Sequence, residues 1–347
     1  MLVGFSGGVA AQSSVTVYGL VDIGFVRESG GSAGTQNKIT SGMASGSRFG
    51  LKGTEDLGGG LSALFLMESG FQADTGASGQ GGLLFGRQAY VGLASTSYGT
   101  VLLGRQYTPE YGVLLMADPF STGLAGDAAN LMPNTGNAAS RMDNTVKYVS
   151  PNMAGFTGEL AYGAGEVAGS SSAQKQWGGA LGYANGPLNV RLGYHYRNND
   201  TAVLQTMSGR STLLAATYDF GVVKAHLAYG VNRGLNSSPL RNAANPYGAA
   251  VAPVASTDSR DLLIGASIPL GAHTLLASYI RKDDKMALNQ DASQWAVGYR
   301  YALSKRTDFY ASYAKISNKN GAGYTVGSSI EAGSGNAAFS VGMRHVF

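Results

Sequence analysis

The sequence predicts an all-β protein, an antiparallel transmembrane β-barrel of about 16 strands. Three observations point there. Apolar residues recur at every second position in short segments along the whole chain, as in strands whose successive side chains face opposite sides. The composition supplies little for a soluble core: charged residues are 13% of the 347, about half the usual soluble share, while Gly numbers 52, Tyr 19 and Phe 12. The segments are joined alternately by turns of about two to six residues and by loops of about ten to 35, as in a meander barrel with one short and one long rim. Past the amino terminus no run of 18 or more strongly apolar residues suggests a spanning helix, whereas a barrel strand needs only about ten residues with every second one apolar.

Met1 to Ala11 carries no charge, and Val9-Ala10-Ala11 places small residues where a signal peptidase cuts. Residues 1–11 are therefore expected to be the remnant of a secretory signal peptide, and 12–347 a single barrel domain. The first strand is read over Ser14–Val26, with Val15, Val17, Val21, Ile23 and Phe25 on one face and Thr16, Tyr18 and Asp22 on the other. Ser47–Glu55 follows, setting Arg48, Gly50 and Lys52 opposite Phe49 and Leu51. Asp56-Leu57-Gly58-Gly59-Gly60 is a tight turn, since consecutive glycines supply positive φ. The return strand, Leu61 to about Phe71, faces Leu61, Ala63, Phe65 and Met67 outward and Glu68 inward. A Gly-rich loop leads to strands at Leu84–Leu93 and Thr100–Gln106.

The second half repeats the scheme. Strand pairs are expected at Asn144–Ser150 with Phe156–Gly163, Trp177–Tyr183 with Leu188–Arg197, and Thr212–Tyr218 with Val222–Val231. Asp261–Ile268 pairs with His273–Lys282 and Gln294–Tyr301 with Thr307–Lys315, each across a short turn. In the last nine residues Phe339, Val341, Met343, His345 and Phe347 share one face, with Ser340, Gly342, Arg344 and Val346 on the other. This segment is expected to close the barrel against Ser14–Val26. Closure removes open edges and satisfies every backbone group, as hydrocarbon surroundings demand. Tyr and Phe near predicted strand ends (Tyr90, Tyr98, Tyr148, Tyr183, Tyr299, Phe309) suit interfacial girdles. A soluble sandwich or propeller fits less well, because no strand is a continuous apolar run and no blade-length repeat exists.

Several function classes are excluded or disfavoured. The net charge is +4, but the basic residues are scattered singly, so no patch supports nucleic-acid binding. Cysteine is absent, which removes disulfides and thiol chemistry. The four histidines, His195, His226, His273 and His345, stand apart from any nucleophile or acid pair, and no zinc-protease, nucleophile-elbow, phosphate-loop or dinucleotide motif occurs. No enzyme, catalytic residue, cofactor or metal is expected; Asp283, Asp284 and Asp291 could ligate calcium, but their spacing matches no motif.

Four blocks and the terminus carry a family resemblance. Ser14-Val15-Thr16-Val17-Tyr18-Gly19, Ser47-Arg48-Phe49-Gly50-Leu51-Lys52-Gly53-Thr54-Glu55-Asp56-Leu57-Gly58-Gly59-Gly60-Leu61, Phe85-Gly86-Arg87-Gln88-Ala89-Tyr90-Val91-Gly92-Leu93 and Leu103-Gly104-Arg105-Gln106-Tyr107, with the closing Val341 to Phe347, resemble the general trimeric porins of Gram-negative outer membranes in their β-proteobacterial branch. The resemblance implies a 16-stranded barrel, a homotrimer in outer-membrane lipid and lipopolysaccharide, and a third extracellular loop folded into the lumen. It also implies a terminal Phe347 read by the barrel-assembly machinery. The implied function is a water-filled channel for passive diffusion of ions and small hydrophilic solutes. Alternatives are a solute-specific channel, a surface adhesin and, least of all, a barrel enzyme.

The longest strandless segment, Tyr107 to about Asp143, is where the folded-in loop belongs, and Pro109-Glu110-Tyr111-Gly112 resembles the family's loop motif. The positions matching the family's inward arginines are Arg48, Arg87 and Arg141; its inward acid corresponds to Glu68. Glu110, Asp118 and Asp127 are the loop's acids. Arg48 also shares its strand face with Gly50 and Lys52, as a lumen residue should. A guanidinium holds its charge at every physiological pH and is weakly hydrated, so a ladder of arginines in a narrow passage would weakly favour anions, while acids on the facing loop would set a transverse field that orients dipolar solutes and could balance the arginines. Each could instead be a solvated residue or a structural ion pair. Lys52, Lys147, Arg191 and Arg344 are secondary candidates, and Arg105 is as well suited to a subunit interface.

Overall fold

The computed structural model describes residues 14–347. The expected signal remnant, residues 1–11, lies outside them.

Seventeen strand segments form one antiparallel sheet that closes on itself. They are β1 (Ser14–Ser29), β2 (Gln36–Ser41), β3 (Arg48–Gly58), β4 (Leu61–Gly70), β5 (Gln88–Ser95), β6 (Gly99–Tyr107), β7 (Arg141–Val149), β8 (Phe156–Gly163) and β9 (Gln176–Asn185), followed by β10 (Leu188–Arg197), β11 (Gly209–Asp219), β12 (Lys224–Ser238), β13 (Ser256–Leu270), β14 (His273–Asp284), β15 (Ala292–Ala302), β16 (Thr307–Asn318) and β17 (Ala337–Val346). The first half of β1 pairs with β3, from Ser14↔Thr54 to Leu20↔Arg48, and its second half with β2, from Ile23↔Ser41 to Glu28↔Gln36. These two segments share one position in the wall, so the closed barrel is 16-stranded.

The break between β2 and β3 has a visible cause. Asp22 is fully buried on the inner face of β1. Its Oδ2 accepts the backbone N–H of Ala44 at 3.0 Å and of Ser45 at 2.7 Å, while Tyr310 donates its hydroxyl to Oδ1 at 2.5 Å. One inward carboxylate thus draws the chain off the wall and into the lumen. The sequence reading places no strand at Gln36–Ser41, because only Ile39 breaks an otherwise polar run. It also starts a strand at Leu84, whereas β5 begins at Gln88, after a short 3-10 turn at Gln80–Gly82 in which Gly81 and Gly82 take φ of 74° and 86°.

Barrel closure follows the expected pairing. β17 runs against β1 from Leu20↔Val346 to Ser29↔Ala337. Gly19 and Phe347 exchange two backbone hydrogen bonds of 3.1 and 3.0 Å just below that register. The seven tight turns, such as Gly58-Gly59-Gly60 with φ of 83°, 60° and 79°, stand at the end of the barrel that holds Phe347, and all long loops stand at the other.

Burial is inverted relative to a soluble protein. Outward residues of the wall are apolar yet open, as with Val15 at 65% and Leu181 at 68% exposure, which matches a surface solvated by hydrocarbon rather than water. The buried apolar cluster lies inside the barrel instead. Val113, Leu114, Phe120, Leu124 and Met132 of the 107–141 loop pack against Leu263, Ile280, Ala296 and Ile316 of the inner wall.

Candidate functional site

The loop between β6 and β7 enters the lumen as a helix, α1 (Pro109–Ala117), followed by two short 3-10 turns. Sequence dictates the start of α1. Thr108 is its N-cap, with Oγ1 accepting the Tyr111 N–H at 3.2 Å, and Pro109 occupies the first helical position, where no N–H is needed. The loop can lie against the wall because the wall is pared down beneath it. A β-carbon at Gly265 would fall 2.4 Å from Pro119, and one at Gly298 would fall 2.7 Å from the Phe120 ring.

Polar ties complete the docking. Gln294 of β15 donates to the carbonyl of Gly126 at 3.2 Å and accepts from Asn130 at 2.9 Å, and Ser312 of β16 accepts the Ala125 N–H at 3.1 Å. From the loop between β12 and β13, Arg241 reaches Asp127 Oδ2 at 3.1 Å and the carbonyls of Ser328 and Glu331 at 2.7 and 2.8 Å. Three loops are thereby joined through one guanidinium.

The loop acids serve this docking. Asp118 accepts three backbone N–H groups, from Phe120, Thr122 and Ala128, each at 2.9 Å. Asp127 accepts the Ala129 N–H at 2.8 Å in addition to Arg241. Glu110 turns away from the passage toward β11, where Ser211 donates to it at 2.6 Å. Burial pushes the carboxyls of Asp118 and Glu110 up to about 7, against the opposing pull of their hydrogen-bond donors, and raises that of Asp127 as well. These three acids are not brought together with the arginines.

Arg48, Arg87 and Arg141, by contrast, converge on one side of a cavity of about 290 Å³, with Arg300 and Arg344 also lining it. Tyr107 organises the group. Its hydroxyl accepts from Arg87 at 2.8 Å and from Arg141 at 3.2 Å, its ring lies 4.8 Å from the Arg141 guanidinium carbon, and it stacks on Tyr111 at 5.0 Å. Arg141 also donates to the Arg87 carbonyl at 2.7 Å. Glu68 sits inside the cluster, where Arg87 donates to it at 2.7 Å, Tyr18 donates at 2.9 Å and Arg48 stands at 4.0 Å. Arg344 is held by Asp308 at 2.6 Å. Among the described residues Arg141 and Arg300 form no ion pair with a carboxylate, so the cavity wall carries a surplus of fixed positive charge.

Arg300 is the residue that sequence reasoning missed. Its signal was present: on β15 it continues the inward series Gln294, Ala296 and Gly298, opposite the outward Trp295, Val297 and Tyr299. Of the secondary candidates, Arg344 lines the cavity, while Lys147 is tied to Glu159 at 2.7 Å. Arg105 pairs with Asp143. His226 meets the carbonyl of Ala117 at 3.1 Å, His273 the hydroxyl of Tyr299 at 2.7 Å and His345 that of Thr307 at 2.8 Å. None of these contacts joins a histidine to a nucleophile and an acid. Among the described residues no group of three or more His, Asp or Glu is placed to hold a metal.

Comparison with known proteins agrees with this architecture. Residues 1–321 match a family described as Gram-negative porin. An outer membrane porin protein of Bordetella pertussis is 34% identical, with 91% of this chain and 92% of the relative aligned. Outer membrane porin protein 32 of Delftia acidovorans is 32% identical across 99% of this chain and 96% of its own length. Among solved structures, an anion-selective porin from Comamonas acidovorans superposes with a TM-score of 0.79 at 30% identity, covering 97% of this chain and 100% of that one.

Proposed function

Because this chain belongs to the Gram-negative porin family, we infer that Arg48, Arg87, Arg141, Arg300 and Arg344 form the selectivity constriction of its pore. The protein is an outer-membrane channel for passive diffusion of small hydrophilic solutes. The observation that carries the constriction is the convergence of these guanidiniums on one cavity, where among the described residues Arg48, Arg87 and Arg344 meet a carboxylate and Arg141 and Arg300 do not. A fixed positive field in a narrow aqueous passage lowers the energy of an entering anion and raises that of a cation. A weak anion preference follows, in keeping with the similarity to the anion-selective porin of Comamonas acidovorans. Glu68 tempers the field, while Glu110, Asp118 and Asp127 hold the loop in place. The test is the reversal potential of the reconstituted protein in a KCl gradient, with anion preference expected. Cation selectivity of the unmodified channel would contradict the assignment.

The family is one of channels. Three partner assignments extend the proposal. A homotrimer is supported by the concave apolar outer face of β4–β6, where Phe65, Met67, Val91 and Leu103 line an open hollow suited to another copy. Outer-membrane lipid and lipopolysaccharide surround the rest of the belt. Phe347, the exposed aromatic end of the closing strand, is the feature the barrel-assembly machinery would recognise. Three equal current steps per insertion event would report the trimer.

A further inference from the structure

We propose that the arginine-lined cavity binds small monocarboxylates with an apolar body, holding the carboxylate on its guanidiniums and the body on an apolar strip formed by Tyr111, Leu115 and Ile330. α1 has no charged face to offer the passage. Its one ionisable side chain other than Tyr111, that of Glu110, is turned to the wall, and Val113, Leu114 and Ala117 are buried as well. Tyr111 and Leu115, four residues apart and so neighbours on one face of the helix, line the cavity instead, with Leu115 42% exposed. A helix that borders water ordinarily presents polar side chains to it. Here the side next to the arginines is aromatic and aliphatic.

A single exposed leucine carries no information. What carries the inference is that several apolar groups line one cavity, are held in place and adjoin the positive charge. Tyr111 stacks on Tyr107 at 5.0 Å, and its hydroxyl bonds that of Thr122 at 3.1 Å, so both ends of the side chain are fixed. Ile330 belongs to the loop between β16 and β17, where its neighbour Ser329 donates to the carbonyl of Gly42. Ile330 and Arg87 meet over Gly46: a β-carbon there would lie 3.3 Å from Ile330 Cγ2 and 2.9 Å from Arg87 Nη1. On the α1 side the junction is Tyr107, whose ring lies 4.8 Å from the Arg141 guanidinium carbon. Guanidiniums bind carboxylates bidentately, and each methylene group buried tightens binding roughly fourfold. The cavity of about 290 Å³ stands at the small end of ligand sites, which limits the body to one ring or a short chain. An inorganic anion uses the guanidiniums alone and a neutral ring the strip alone; a carboxylate joined to an apolar body uses both.

This substrate class rests on the arginine constriction proposed above. The test uses the full chain reconstituted in planar bilayers in KCl, with acetate, hexanoate, benzoate and benzyl alcohol as probes and the concentration that halves the KCl current as the readout. Hexanoate and benzoate are expected to act at concentrations roughly tenfold or more below that of acetate. Benzyl alcohol, which has the ring without the charge, should leave the current unchanged where benzoate acts. Leu115→Ser should bring the benzoate and acetate values within about threefold of each other, while Leu204→Ser, at an exposed position of the loop between β10 and β11, leaves their ratio as it is. The KCl current shows that each variant is folded and inserted, and the four probes compared on the unmodified protein decide the matter without any variant. Equal action of acetate and benzoate in an anion-selective channel would overturn this proposal alone, whereas cation selectivity in KCl would overturn it together with the constriction. Benzyl alcohol acting as strongly as benzoate, or an unchanged ratio in Leu115→Ser, would likewise overturn it.

Discussion

Arg87 donates its Nε to Glu68 Oε1 at 2.7 Å with both side chains nearly enclosed, at 6% and 3% exposure. Arg87 is thus bound into the wall as well as lining the passage. Truncating it strands a carboxylate whose other partners are Tyr18 and a guanidinium 4.0 Å away. Breaking one side of a buried pair costs about 3–5 kcal/mol. Arg87→Ala should therefore lower the melting temperature of the refolded barrel clearly, while Arg87→Ala/Glu68→Gln recovers much of the loss. If the single variant melts like wild type, the pair does not hold the wall together.

In the proposed constriction, selectivity should depend most on the guanidiniums that form no ion pair among the described residues. Arg141→Ala and Arg300→Ala each remove an unpaired charge, and the exposed alternatives for those side chains are solvent and backbone carbonyls. Each should reduce the anion-directed reversal potential in a KCl gradient by roughly half, and the double variant should approach neutrality. Glu68→Gln should move the potential in the opposite direction. Unchanged selectivity in the Arg141/Arg300 double variant would show that the field originates elsewhere.

How far the sequence discloses this site depends on the kind of residue. Strand parity exposes the inner face, which is why Arg48 and Glu68 are found by counting, and why β8 and β10 have the expected bounds. Parity also marks Arg300 as inward, but half of all wall residues are inward. Only the path of the loop across the lumen, a long-range property, says which of them border the remaining passage. The loop acids illustrate the opposite problem. A carboxylate in a long loop can face water or its own backbone, and Asp118 and Asp127 do the latter through bonds to the N–H two residues on, at Phe120 and Ala129. That short-range pattern is common for Asp in turns and was the available signal that these residues build the loop. The Gln36–Ser41 segment was hidden for a third reason, since its pairing is interrupted by the pull of Asp22 rather than by any turn residue of its own.

The wall glycines under the loop make passage size adjustable by a single methyl group or more. A side chain at Gly298 or Gly265 would collide with Phe120 or Pro119, and overpacking of this kind costs typically about 1–3 kcal/mol. Gly298→Val should displace the segment around Phe120 from the wall and change single-channel conductance by more than about a quarter, with the barrel itself still heat-resistant. The same substitution at Gly158, on the outer face with no atom closer than 3.7 Å to an added β-carbon, serves as the control. Identical conductance in the two variants would mean that the loop does not depend on these contacts.

The carboxyl of Glu110 gives loop docking a pH dependence whose sign can be worked out. Burial raises it from 4.5 to about 7, with the Ser211 hydrogen bond opposing and the charge of Asp261 adding to the rise. An acid raised in the folded state favours the protonated form there, so its contribution is greatest below its unfolded value and is lost as pH climbs through the folded one. Between about pH 4.5 and 7 the docked loop should therefore weaken progressively, and above pH 7 no further change from this group is expected. Asp118 is shifted in the same direction, so both acids act together. Glu110→Gln keeps a hydrogen-bonding group beside Ser211 without the charge. It should raise the melting temperature at pH 8 relative to wild type and leave it nearly unchanged at pH 4.5, where the wild-type group is neutral. A uniform shift at both values would locate the effect in packing and remove Glu110 from the pH response.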